Sequence, residues 1–172
     1  QGRVEVSLNP QKPADFSLRL RIPTWTGAQF VPGKLYSYLN SSSEKWEVSV
    51  NGKKVSPKTE LGFAVLNRKW KKGDKVVLEL PMPTRLNKCD ERVEDNRNRV
   101  AFTRGPFVLC AEEVDNGGAT QRFFLDAKPT IKKAKVSKVK LPAGSFIKVK
   151  SPANALTEKG SPEKRDLTLV PY

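Results

Sequence analysis

The stretch GFAVLNRKWKKGDKVVLELPMP, residues 62–83, decides how this chain is read. Phe63 and Val65 alternate with Ala64 and Leu66, and Trp70 closes the run. After Lys72-Gly73-Asp74, Val76, Leu78 and Leu80 alternate until Pro81. Period two sends successive side chains to opposite faces of a strand, and proline has no N–H to give a ladder. Two such runs about a Gly-Asp turn predict a β-hairpin with one buried face.

The same period extends in both directions. Val4, Val6 and Leu8 form a first strand, and Phe16, Leu18, Leu20 and Ile22 a second, with Ser17, Arg19 and Arg21 on its other face. Pro23 ends that strand, and Trp25 follows as a cap on the core. Residues 26–44 read as a loop, made sticky by Phe30, Leu35, Tyr36, Tyr38 and Leu39. Trp46, Val48 and Val50 lead into Asn51-Gly52, a strong two-residue hairpin signal, and Lys53 to Val55 begin the return strand. Trp46 and Trp70 fall in strand alternation and are expected in the core.

After Pro83 the chain to Asn98 reads as polar and extended. Val100, Phe102 and residues 107–110 make a long apolar strand interrupted at Gly105-Pro106, where a bulge, bend or edge is expected. Asp115-Asn116-Gly117-Gly118 is the best linker candidate. Short strands are expected around Phe123, Ile131, Val136, Phe146 and Leu167. Many short strands with turn signals, and no helix of any length, predict an all-β chain: an antiparallel, jelly-roll-like β-sandwich over 1–113 with a second, smaller β unit over 114–172, or a boundary near 84–98. The final LTLVPY alternates up to the last residue, which suggests a truncated chain.

Composition narrows the chemistry. The chain has 172 residues, enough for a usable core, and its 37% hydrophobic content sits in periodic runs. No apolar run approaches the roughly 20 residues needed to span a bilayer as a helix. There is no histidine, which removes Ser-His and Cys-His nucleophilic arrangements and the commonest metal ligand. Cys89 and Cys110 fit no zinc spacing. Cys110, in an apolar run, reads as a buried thiol, although a Cys89–Cys110 disulfide stays open. The net charge of +14 and the lysines 128, 132, 133, 135, 138, 140, 148 and 150 invite a polyanion reading. The segment has little aromatic interleaving and no nucleic-acid motif, so nucleic acid is not the expected partner.

Five blocks in order give the chain a likeness: LRLRIPTW (18–25), VSVNGKKV (48–55), RKWKKGDKVVLELPMP (68–83), RVAFTRGPFVLCAEEVDN (99–116) and LTLVPY (167–172). Together they resemble the carboxy-terminal half of glycoside hydrolase family 127, the β-L-arabinofuranosidase-like proteins once grouped as domain of unknown function 1680. The loop VPGKLYSYL (31–39) resembles members from gut Bacteroidetes. The resemblance implies an amino-terminal (α/α)6 barrel as catalytic partner in the same polypeptide, holding zinc through cysteines and a glutamate, with a cysteine nucleophile and a glutamate acid/base. None of those positions is matched here, so no catalytic residue and no cofactor is assigned to this chain. Cys110 matches instead a cysteine in the family's Gly-Pro-containing strand. Asn98 stands where the family usually has Gly, and Asn tolerates a left-handed turn. Leu109 replaces a more usual Tyr.

The expected role is therefore a non-catalytic accessory β-sandwich region that packs on the barrel, holds loops near its mouth or mediates oligomer contacts. The resemblance also implies a periplasmic or exported bacterial protein acting on plant cell-wall or glycoprotein arabinose. A second reading is carbohydrate binding through aromatic faces, with Tyr36 and Tyr38 as substrate-binding candidates and Trp25, Trp46, Trp70, Gly105, Pro106 and Cys110 as structural residues. A third is free-standing glycoside hydrolysis by Glu112 and Glu113, or by Asp90 and Glu91. Neighbouring residues on a strand face opposite ways, whereas the chemistry needs two carboxylates across a cleft at roughly 5–10 Å.

Overall fold

The structure, a computed structural model, describes every residue except Gln1, Ser41, Ala119, Lys128, Thr130, Lys132, Lys133 and Ala143. The chain divides into two compact units, Gln1–Pro83 and Thr84–Tyr172. The first contains strands β1 (Gly2–Leu8), β2 (Ala14–Arg21), β3 (Tyr36–Tyr38), β4 (Glu47–Val50), β5 (Lys53–Val55), β6 (Lys58–Glu60), β7 (Phe63–Trp70) and β8 (Asp74–Leu80). Two antiparallel sheets form, ordered β1-β8-β4-β5 and β2-β7-β6. Their inner faces share one core: Leu20, Ala64, Leu66 and Trp70 from one sheet meet Val48, Val50, Val76 and Leu78 from the other. This is the expected antiparallel sandwich, built by alternation alone.

The opening stretch is not a hairpin. β7 pairs with β2 and β6, whereas β8 pairs with β1 and β4. The turn between them carries the chain from one sheet to the other. β8 alternates, whereas β7 buries Ala64, Val65 and Leu66 in succession, and alternation in the sequence does not say whether the next strand lies beside its predecessor or opposite it. The turn is a type II geometry: Gly73 has φ 88°, and the Asp74 N–H donates to the Lys71 carbonyl at 3.2 Å. Gly73 N–H also donates to the Leu8 carbonyl at 2.9 Å, stitching the crossing to the end of β1.

Asn51-Gly52 does make a two-residue hairpin turn between β4 and β5, with Val50 opposite Lys53 and φ of 50° and 79°. Positive φ at both central residues is type I′. The Asn51 amide donates to Asp74 Oδ1 and its carbonyl accepts from the Lys75 N–H, both at 2.9 Å. The Lys71 N–H donates to Asp74 Oδ2 at 2.9 Å. One buried carboxylate thus locks the crossing turn to the neighbouring hairpin.

The second unit contains β9 (Thr84–Cys89), β10 (Ala101–Arg104), β11 (Phe107–Cys110), a helical turn α1 (Glu113–Asn116), β12 (Phe123–Phe124), β13 (Lys135–Leu141), β14 (Gly144–Leu156) and β15 (Pro162–Pro171). Its strands run β9-β10-β11-β15-β14, all antiparallel, and β12 and β13 share the far edge of β14. Leu86, Phe102, Leu109, Val149, Leu167 and Leu169 line one face, with Ile131 packed among them. Ile131 is buried there without belonging to a strand. Helical geometry among the described residues is confined to short turns.

Dividing the chain at Pro83/Thr84 differs from a division at 113/114, because β11 pairs with both β10 and β15 and so binds residues 99–110 to the carboxy-terminal strands. The second unit is then as long as the first. β9 is a strand that reads as polar coil, since Thr84, Arg85, Leu86 and Asn87 are all buried and show no alternation. Gly105-Pro106 is neither bulge nor edge: Arg104 lies opposite Phe107, so it is the turn of a β10–β11 hairpin. Gly105 at φ 57° supplies the first central residue of a type II′ turn, and Pro106 fits the second, where φ is negative. Asn98, at φ 58°, adopts the left-handed conformation expected of it.

The expected linker at Asp115-Asn116 is a packed element. Asn116 is 4% exposed, and its carboxamide pairs with both the N–H and the C=O of Thr168 at 2.8 and 2.9 Å. The side chain substitutes for a strand where β11 has ended. Gly117, at φ 68°, closes the turn as a left-handed cap.

Candidate functional site

Two of the three tryptophans, Trp46 and Trp70, pack on the first core. Trp70 is fully buried, its indole N–H donates to the Phe16 carbonyl at 3.0 Å, and the Phe16 ring lies 6.1 Å away. Trp46 packs against the first core, and Trp25 is half-buried in the turn Thr24–Thr26. Tyr36 and Tyr38 sit two residues apart on β3, which places both on one side of that strand. Tyr36 is 38% exposed and Tyr38 half-buried. A cavity of about 280 Å³ opens in the loop after β2, lined by Thr24, Ala28, Gln29, Val31 and Pro32, without either tyrosine. Its walls offer few hydrogen-bonding groups. The Thr24 hydroxyl is already committed to the Phe30 carbonyl at 3.0 Å.

The acidic candidates do not face one another across a cleft as a catalytic pair. Asp90 accepts from the Arg92 guanidinium at 2.8 Å, and Glu91 from the Lys88 ammonium at 2.7 Å. These hydrogen bonds hold both carboxyls below their usual range. A glycosidase's general acid needs the opposite shift. Glu112 and Glu113 are exposed at the start of α1. Cys89 and Cys110 are free thiols. Among the described residues no group of three or more Cys, Asp or Glu could hold a metal, so the donor set required for zinc is not met by this chain's described residues.

Among the described residues, the lysines of the lysine-rich segment do not form one patch. Lys128, Lys132 and Lys133 lie outside the described residues. Lys135 faces Lys150 and Ser137 faces Lys148 across β13–β14, while Lys138 and Lys140 take the opposite face. Lys148 is neutralised by Asp115 at 2.5 Å.

The second unit holds a polar hollow that sequence reading misses. Along β15 the core-facing positions are Leu169, Leu167, Arg165 and Glu163, and opposite them on β14 stand Val149, Ser151, Ala153 and Ala155. The core face thus turns from large and apolar to charged on one strand and small on the other. Phe123, opposite Ala155 on β12, forms the far wall. The cavity has about 260 Å³, and Arg122 and Glu158 complete its charged lining. The Arg165 guanidinium lies 5.6 Å from the Phe123 ring and donates to the Asn116 carbonyl at 3.0 Å. The signal was present in PEKRDLTL, whose alternate positions read Glu, Arg, Leu, Leu.

Fold and site together define an all-β chain of two antiparallel units, and comparison with known proteins places it. Residues 1–82 match the family model "Beta-L-arabinofuranosidase, GH127 middle domain", and residues 84–172 match "Glycoside hydrolase family 127 C-terminal domain". The chain belongs to glycoside hydrolase family 127. It is similar to a non-reducing end β-L-arabinofuranosidase of Bifidobacterium longum subsp. longum, at 32% identity over 120 residues, covering 68% of this chain and 16% of that protein. Among solved structures, the GH127 β-arabinofuranosidase BT3674 matches with TM-score 0.85 and 35% identity over 99% of this chain and 27% of its own. Ara127N, a GH127 β-L-arabinofuranosidase from Geobacillus stearothermophilus T6, matches with TM-score 0.80 and 28% identity over 99% of this chain and 26% of its own. The chain therefore spans about a quarter or less of these relatives.

Proposed function

We propose that this chain is the non-catalytic accessory region of a β-L-arabinofuranosidase-like glycoside hydrolase, supporting a catalytic (α/α)6 barrel in the same polypeptide. The observation that carries this is the order of the two units, a middle-domain match followed by a carboxy-terminal match in relatives called β-L-arabinofuranosidases. The carboxylates weighed for catalysis are exposed or held by cations, and zinc belongs in this reading to the barrel. The parent enzyme would work in the periplasm or outside the cell, on arabinose-bearing glycans. The isolated chain is expected to leave an aryl β-L-arabinofuranoside intact, and removing this region from the parent enzyme should lower its melting temperature and activity. Turnover by the isolated chain, or full activity and stability without it, would overturn the proposal.

A second reading is supported by Tyr36 and Tyr38, which share one side of β3 with Tyr36 exposed. Aromatic faces stack on sugar C–H surfaces, so these two rings would contact glycan. Calorimetric titration of the chain with arabinan fragments tests this: heat that disappears in a Tyr36→Ala/Tyr38→Ala variant supports it, and no heat disposes of it.

A further inference from the structure

The geometry points to the hollow between β12 and β15 as a binding site for one neutral sugar ring, separate from the β3 tyrosines. Four charged side chains line it, and none is placed by the needs of the core. The side chains of Arg122, Glu158 and Glu163 make no hydrogen bond or ion pair with other described residues. Arg165 is oriented from two sides, by the Phe123 ring and the Asn116 carbonyl. Asn116 is itself fixed by Thr168, so the guanidinium is held on a rigid mount. Gly117 completes the mount: a Cβ there would approach an Arg165 nitrogen to 2.5 Å.

Charge and size select the ligand class. Two guanidinium groups and two carboxylates line the hollow, so its net charge favours neither an anion nor a cation. Planar carboxylates and guanidinium groups each present paired acceptors or paired donors, the complement of vicinal hydroxyls. The volume of about 260 Å³ lies just under the roughly 300–1,000 Å³ of sites for drug-sized ligands, which suits a single ring. The small side chain of Ala155 leaves the floor open, and the Thr157–Ser161 loop rims it, with the Thr157 N–H donating to the Ser161 carbonyl at 2.9 Å.

The test uses the whole chain, 15N-labelled and titrated separately with L-arabinose, D-galactose and sodium phosphate while amide shifts are followed. A sugar should move the amides of Gly117, Phe123 and residues 157–160 in a saturable way, at millimolar affinity, and phosphate should not. Arg122→Ala with Glu163→Ala should weaken sugar binding by about tenfold or more, as loss of charge-assisted hydrogen bonds does. Glu158→Ala, on the loop, serves where the double variant melts early. The Tyr36→Ala/Tyr38→Ala variant should bind unchanged, which separates this site from the aromatic one. No saturable shift with either sugar up to about 100 mM, far weaker than any specific site, would overturn the assignment. So would binding that survives these variants, or phosphate binding in the sugar's place.

Discussion

Trp70 and Asp74, four residues apart, are placed by different physics. Trp70 is held by burial and by one hydrogen bond from its indole N–H. Trp70→Ala should therefore cost about 3–5 kcal/mol in denaturant unfolding, as buried aromatic truncations do. An unchanged midpoint would mean that the ring is exposed in solution. The Asp74 carboxyl is held below its ordinary value of 3.8, chiefly by the Asn51 amide and then by the Lys71 N–H. A carboxyl whose folded value lies below its unfolded value contributes stability above the unfolded value and loses it as pH falls through the folded one. Melting temperature should thus fall below about pH 4, and less steeply in Asp74→Asn, which carries no titrating group there. Parallel curves for the two proteins would remove Asp74 from the acid transition.

Turns decide how the strands connect, and they were unequally legible. Asn51-Gly52 declared itself, because few residue pairs accept two positive φ angles. Gly73-Asp74 did not, since a type II turn serves a crossing between sheets as readily as other corners. β9 was invisible because TRLNKC buries polar side chains, which no hydrophobic period records. Leu61 is the opposite case: it holds φ 48° in the β6–β7 turn and is 92% exposed. A left-handed Leu costs about 1–2 kcal/mol, and no burial of its side chain offsets that. Leu61→Asn should raise stability by about 1 kcal/mol in chemical denaturation, whereas a loss would mean that the leucine makes contacts in solution. Asn116 belongs to the same scale. Asn116→Ala would strand the N–H and C=O of Thr168, and two unsatisfied buried groups cost about 2–6 kcal/mol together. Hydrogen exchange at the Thr168 amide should then accelerate.

For the molecule as a whole, the family and the all-β class were readable from five sequence blocks and from alternation. The polar hollow was not. It depends on which alanines of β14 meet which charges of β15, and that register exists only once the strands pair. The absence of histidine has its own global signature. With no imidazole to titrate, unfolding free energy should stay level between about pH 6 and 8. A slope there, measured in urea, would point to a shifted thiol or carboxyl.

The crossing between sheets has a temporal consequence. β1 finds its partner in β8, with Gly2 opposite Leu80, and β2 finds its partner in β7. Pairings this distant along the chain fold slowly, because loop closure precedes any gain. On a ribosome the first strand of this unit must therefore wait, unpaired, until its last strand has left the exit tunnel.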